Sequence, residues 1–308
     1  MYGYCVCGLI IASDINLPGL ISTRLGKKPP DVTVRRAPVP QELDDSVATG
    51  PNWQIGETRL LLRLPGGLRF LISEGKAIVF EAEEATPPEE IASFLVGSAF
   101  AVLLHQRHQI VIRASAVRVG DKAVLFCGPS GVGKSTIAAA LGRRGYPLLS
   151  DHLCTIDLRN TNTPFVEPDQ HRLALWGDAI RHFELADRKG FALRPILDKF
   201  YIEPDLMCSE SLQLGAVYTL RETRPPVCDG IERPNLIDTT LLLYQSAYHP
   251  QMVIALRHQS LYFLSAAKIA AAAGGFYLSR PRDFTSLDTV IGWLEEHWRA
   301  IGLSGRPS

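Results

Sequence analysis

The eight residues Gly128-Pro129-Ser130-Gly131-Val132-Gly133-Lys134-Ser135 constrain the fold of this chain more than any other segment. They spell Gly-x-x-x-x-Gly-Lys-Ser, follow the apolar run Lys122–Cys127, and open a stretch of helical character over residues 134–144 that Gly145 closes. A strand, a glycine-rich turn and a helix in that order make a phosphate-binding loop. The glycines let backbone N–H groups turn inward around phosphate oxygens, and the helix N-terminus adds the positive end of its dipole. Gly128, Ser130, Gly131, Val132, Gly133, Lys134, Ser135 and Thr136 are therefore the candidate nucleotide ligands. The motif places Lys134 to reach the β- and γ-phosphates, the Ser135 hydroxyl to ligate Mg²⁺, and Thr136 near the α-phosphate. The plainer alternative is a tight strand-to-helix connection that holds no ligand.

Such a loop does not by itself name a reaction, because another group must hold the metal and orient the attacking atom. Asp151 ends the next apolar run, Leu148-Leu149-Ser150-Asp151, from where it could project toward the phosphates, and is the candidate for that part. The plainer and lesser alternative is an exposed turn acid or a helix cap. The adjacent His152 either bonds a phosphate or is a surface histidine, and Asp157 reads as a loop residue.

Composition narrows the partners. Lys plus Arg equals Asp plus Glu at 32 each over 308 residues, which gives no electrostatic reason to expect nucleic acid or an anionic membrane. Apolar residues make up 46% of the chain, enough for a large core. The six cysteines form no Cys-x-x-Cys pair; Cys5 and Cys7 are expected to share one face of a strand and read as buried thiols in a reducing compartment, with a metal or redox role there as the lesser alternative. The N-terminus lacks a signal-peptide pattern, and the apolar run 263–273 carries Lys268 and is too short to span a bilayer, so the chain is expected to be cytoplasmic.

Turn and periodicity signals divide the chain at about residue 108. Residues 1–108 read as a small α+β module with strands at 4–12, 59–64, 68–73 and 76–81, an irregular proline-rich stretch at 27–45, and a helix at 88–106. Residues 109–302 read as the phosphate-loop domain, and 303–308 as a flexible tail. Within that domain strands are expected at 109–119, 122–127, 148–151, 153–158 and 212–220. Helices are expected at 134–144, 169–185, 236–248, 263–273 and 285–301, the last with a Thr285-x-x-Asp288 capping box.

Ile112-Arg113-Ala114-Ser115-Ala116-Val117, the loop itself, and Arg144-Gly145-Tyr146-Pro147-Leu148-Leu149-Ser150-Asp151 together resemble the catalytic domain of HPr kinase/phosphorylase. The resemblance is closer to the HPr-kinase-like proteins encoded beside lasso-peptide biosynthesis enzymes. It extends to Ile11-Ala12-Ser13-Asp14-Ile15-Asn16-Leu17-Pro18 and Phe94-Leu95-Val96-Gly97 in the first module. It implies an α/β P-loop kinase domain akin to phosphoenolpyruvate carboxykinase, preceded by a small α+β module. It also implies ATP and Mg²⁺ as cofactors, with a serine of a peptide or small protein as acceptor. In the lasso-cluster group that acceptor is the C-terminal serine of the precursor peptide. The resemblance makes Asp151 the residue that takes the hydroxyl proton, and homo-oligomers occur in the family. The chain departs from the pattern twice. Arg113 stands where the family has histidine, and His152 stands where it has a second acid. Arg113 supplies positive charge at any pH, whereas His152 is a poor substitute for a hard oxygen ligand of Mg²⁺. Those departures leave open a nucleotide-binding regulatory or scaffold protein without turnover. Leu175-Trp176-Gly177-Asp178, Arg194-Pro195, Lys199 and Arg280-Pro281-Arg282 also resemble family segments; Trp176 is expected in the core, and the charged residues read equally well as solvated loop charges.

Overall fold

The computed structural model describes residues 1–158, 163–169, 172–193 and 197–303; Arg194-Pro195 and most of the expected tail lie outside the described residues. The chain divides into two compact units, Met1–Val111 with His249–Gln259, and Ile112–Tyr248 with Ser260–Ser308.

The first unit is built on a nine-stranded sheet in the order β3-β1-β2-β4-β9-β8-β7-β6-β5. Its strands are β1 (Tyr2–Val6), β2 (Leu9–Ser13), β3 (Ile21–Ser22), β4 (Val32–Arg36), β5 (Ala48–Thr49), β6 (Trp53–Ile55), β7 (Arg59–Arg63), β8 (Arg69–Ser73) and β9 (Ala77–Glu81). The single strand expected at 4–12 is instead the β1–β2 hairpin, turned by Cys7 and Gly8 at φ 51° and 73°. Cys7 therefore lies in the turn rather than on a strand face with Cys5. The stretch 27–45 is not wholly irregular either. Its centre is β4, which runs parallel to both β2 and β9 and buries Val32 and Val34 completely. Two valines between proline-rich flanks are too short a pattern to register as a strand. Across the sheet run α1 (Pro88–Phe94), a π-helical segment at Leu95–Ala99 and α2 (Phe100–Gln106), with Leu95, Phe100, Leu103 and Leu104 buried. Helix α6 (Pro250–Ala255) completes this unit against α2.

Strand β10 (Ile110–Ile112) leads into the second unit. There β11 (Ala114–Val119) and β12 (Lys122–Cys127) form an antiparallel hairpin, and the glycine-rich loop 128–133 connects β12 to α3 (Lys134–Arg143). Strand β13 (Leu148–Asp151) lies antiparallel on the far side of β11, and β14 (Cys154–Asp157) continues past a bend at His152. Asp157 thus ends a strand paired with β15 (Phe165–Glu167) rather than lying in a loop. On the other flank of β12 come β19 (Leu212–Glu222) and then β21 (Gly275–Arg280), both parallel to it. Strands β12, β13, β19 and β21 consequently all end at one edge of the sheet, so the loops that follow them gather there. Binding sites of open α/β sheets form at that edge.

The helix expected at 169–185 is instead β16 (Leu173–Trp176) followed by the short α4 (Gly177–His182). Strand β16 joins β17 (Lys189–Ala192) and β18 (Lys199–Ile202) in a three-stranded sheet, order β16-β18-β17. The buried run Leu173-Ala174-Leu175 carries no periodicity that separates strand from helix. Strand β21 was not anticipated for the same reason, as all six of its residues are buried. The remaining elements are β20 (Gly230–Glu232), α5 (Leu236–Gln245), α7 (Gln259–Ala273) and α8 (Leu287–Ala300). The expected Thr285/Asp288 capping box is absent. Instead the Asp283 carboxylate accepts from Ser286 N and Thr285 Oγ1, each at 2.8 Å, ahead of α8. Among the described residues no helix is long and apolar enough to cross a membrane.

Aromatic layers hold this unit together. Phe126 of β12 stacks on Tyr218 of β19 at 5.7 Å, and Tyr218 on Phe276 of β21 at 5.4 Å. Helices α3 and α8 close the same cluster with Ile137, Leu141, Val290, Ile291 and Leu294. Trp298, 2% exposed, meets the edge of Tyr146 at 5.1 Å. Trp298→Ala is expected to lower the stability of this unit by about 3–5 kcal/mol, read from denaturant unfolding.

Candidate active site

The glycine-rich loop leaves β12 on a backbone that its glycines make accessible. Gly128, Gly131 and Gly133 have φ of 136°, 82° and 98°. At Gly133 a side chain would also collide with the Arg280 guanidinium, and at Gly128 a Cβ would lie 3.2 Å from the carbonyl oxygen of Leu220. The Lys134 ammonium donates to the carbonyls of Gly128 and Pro129, both at 2.8 Å, and so spans the loop. From the β21 side, Arg280 donates to Val132 O at 2.8 Å and braces the loop from outside.

Asp151 is not the exposed acid that a strand end often carries, for it is 2% exposed. The Ser135 hydroxyl at the start of α3 donates to it, 2.9 Å from Oδ1 and 3.1 Å from Oδ2. Ser115, directly opposite in the β11–β13 register, also donates to Oδ1, and Ala174 N of β16 donates to Oδ2 at 3.0 Å. Donors from α3, β11 and β16 thus fix the carboxylate.

Cations crowd the same side. Burial pushes the Lys134 ammonium down to about 8; the nearby Asp151 carboxylate opposes this, while Arg113 and Lys199 reinforce it. Lys199 is lowered in turn, chiefly by burial and against the pull of Asp151. Arg113 N donates to Ser246 O at 2.8 Å, and its guanidinium lies 5.4 Å from the Tyr248 ring centre. His152 adopts φ 83°, donates from its backbone N to Ala114 O, and sets its ring edge-on to Tyr248 at 5.2 Å. Arg113 and His152 therefore flank one tyrosine.

These groups open into a cavity of about 530 Å³ within the second unit. Arg113, Ser130, Gly131, Gly133, Lys134, Ser135, Thr136, Asp151 and His152 all line it. Gly128 and Val132 do not; they face inward as structural parts of the loop, Gly128 through its carbonyl to Lys134 and Val132 against the core. Trp176, expected in the core, is 41% exposed and forms part of the cavity wall, with the Lys199 ammonium 6.0 Å from its ring centre. As the last residue of β16 it follows three buried residues, a position that local pattern does not distinguish from core. The sequence reading also gave no role to Arg181, Asp198, Asp283 or Phe284, which complete the wall. They lie on segments whose place beside the loop follows only from the sheet order. With six cationic side chains against four carboxylates, the wall favours an anion.

Two oxygen donors, the Ser135 hydroxyl and the Asp151 carboxylate, suit Mg²⁺, which prefers hard ligands and keeps several waters. No cluster of three or more His, Cys, Asp or Glu fit to hold a metal occurs among the described residues. A metal here would therefore take its other ligands from phosphate and water.

No family model matches the chain, and no curated protein matches it. Among solved structures, the Hpr(Ser) kinase/phosphatase from Coxiella burnetii aligns over 62% of this chain and 98% of its own, with 12% identity and a TM-score of 0.35. That likeness is too slight to bear on activity.

The depressed Lys134 sets a pH dependence. A polyphosphate favours the charged ammonium, so between the free and bound values of this group binding takes up a proton. Tripolyphosphate affinity is expected to hold below about pH 8 and to fall as pH rises through it. Titration calorimetry in buffers of different ionisation enthalpy measures this uptake, and Lys134→Met is expected to remove it.

Proposed function

We propose that the chain is an ATP- and Mg²⁺-dependent kinase that phosphorylates a serine hydroxyl of a peptide or small protein. The observation that carries this reading is the contact between Ser135 and the buried Asp151 across the mouth of the loop. A hydroxyl at the first helical turn paired with a fixed carboxylate is what a nucleotide-bound Mg²⁺ requires of a P-loop protein. When bound, that ion would neutralise charge on the β- and γ-phosphate oxygens.

The chain's own cations would do the rest. Lys134, Arg113 and Lys199 converge on one side of the cavity, where they would stabilise the charge that develops on the transferred phosphoryl group. Asp151 accepts from Ser115, Ser135 and Ala174, which suits a positioned metal partner better than a base. Beside these three donors it would have about one lone-pair site left for the acceptor's proton. The resemblance to HPr-kinase-like proteins of lasso-peptide clusters adds the acceptor: a precursor peptide with a C-terminal serine.

The same engagement of Asp151 favours a second reading, a nucleotide-binding regulatory or scaffold protein that does not turn over. Arg113 and His152, where the resemblance has a histidine and a second acid, point the same way.

Incubating the full chain with ATP, Mg²⁺ and serine-terminated peptides, followed by mass spectrometry, separates the two readings. The kinase reading expects a phosphate on the peptide serine, lost on chelation of the metal and reduced at least about 100-fold in Lys134→Ala and Asp151→Asn. ATP binding with no phosphopeptide, unchanged in the double variant Arg113→His with His152→Asp, would establish the second.

A further inference from the structure

The phosphate end of a nucleotide in this cavity is fixed by Ser135, Asp151 and Lys134, which raises the question of where the base goes. Asp151 ends β13, on one flank of the loop strand β12, with β11 between them. On the opposite flank lie β19 and then β21, whose C-terminal end passes alongside the loop. Arg280 at that end bonds Val132, and the Arg282 guanidinium lies 3.7 Å from where a Cβ on Gly131 would sit. A nucleotide with its γ-phosphate at Asp151 and its phosphate chain along the loop would carry its ribose and base toward the segment after β21.

That segment presents one aromatic ring to the cavity. Phe284 is half-buried and lines the wall together with Arg282 and, beneath it, the buried Leu287 of α8. The exposed His182 at the end of α4 stacks on Phe284 with ring centres 4.5 Å apart and planes at 17°, and does not itself line the cavity. His182 is itself held edge-on by Phe183, at 5.1 Å. Held by His182 and by the core it packs against, the part of Phe284 that lines the cavity is a preset aromatic surface for a heteroaromatic ligand.

We propose that Phe284, backed by His182, is the stacking platform for the nucleobase, a role that rests on the nucleotide-binding reading of the loop. The cavity wall on this side carries Asp178, Arg181, Arg282 and Asp283 beside the ring, and the Asp283 carboxylate is already engaged by Thr285 and Ser286. Stacking is tolerant of base identity, so the platform accepts adenine and guanine nucleotides alike. It explains how the chain holds a purine without an Asn-Lys-x-Asp motif in its sequence.

Titration calorimetry on the full chain, with ATP, GTP and tripolyphosphate as separate probes, tests the proposal. Phe284→Ala is expected to weaken ATP and GTP by about tenfold or more and to leave tripolyphosphate unchanged, because only the nucleotides carry a base. Phe284→Trp is expected to retain both nucleotides, which guards against a mere loss of folding, and a thermal melt checks each variant. Equal weakening of nucleotides and tripolyphosphate in Phe284→Ala, or no weakening of either, would overturn the platform while leaving the loop's phosphate role intact. Failure of the wild-type chain to bind tripolyphosphate or ATP at all would overturn the nucleotide reading, and the platform with it.

Discussion

The second unit is organised around one buried carboxylate. Asp151 ties together β13, on which it sits, β11 through Ser115, α3 through Ser135, and β16 through Ala174. A buried carboxylate is tolerated only when its oxygens are hydrogen-bonded or near compensating charge, and here both conditions hold. The arrangement is reciprocal: the same bonds that satisfy Asp151 fix the start of α3, and hence the pitch of the phosphate loop, relative to the sheet. Lys134 spans the loop from within and Arg280 clasps it from outside, so the loop is set on every side before any ligand enters.

That prearrangement carries an electrostatic cost. Three cations gather near one carboxylate, and burial together with mutual repulsion holds two of them, Lys134 and Lys199, below their ordinary range. Like charges held close in a low-dielectric cleft are relieved by a polyanion, and this is a reason to read the cavity as a phosphate site rather than a neutral-ligand pocket. Arg280 belongs to the same pattern, lowered by burial.

The loop and its strand and helix were legible from sequence because the constraint is local: glycine spacing, an apolar run before it and a helical run after it. Asp151 was legible as a candidate, but its burial was not, since that depends on Ser115 and Ala174 arriving from elsewhere in the chain. Uniformly buried segments proved hardest to read. β21 and β16 lack the alternation that marks a half-exposed strand, so neither is legible as a strand from its own residues. Trp176, Arg282 and Phe284 inherit their positions from those strands, and no local pattern could have moved them from core or loop to the cavity wall. In the first unit, β4 shows the opposite failure, a genuine central strand whose two valines were hidden by flanking prolines.

The division of the chain has a consequence for how the protein comes into being. Residues His249–Gln259 belong to the first unit although Ile112–Tyr248 precedes them in the second, so the backbone changes units after Val111, after Tyr248 and again after Gln259. Neither unit is one continuous stretch. During synthesis the nine-stranded sheet can assemble once its own residues have emerged, but α6 does not reach α2 until most of the second unit has also been made. The phosphate loop likewise leaves the ribosome well before β21 arrives to brace it through Arg280. Completion of both units therefore waits on the last fifth of the chain, and a protein ending before His249 would lack α6 from its first unit and β21 from its second.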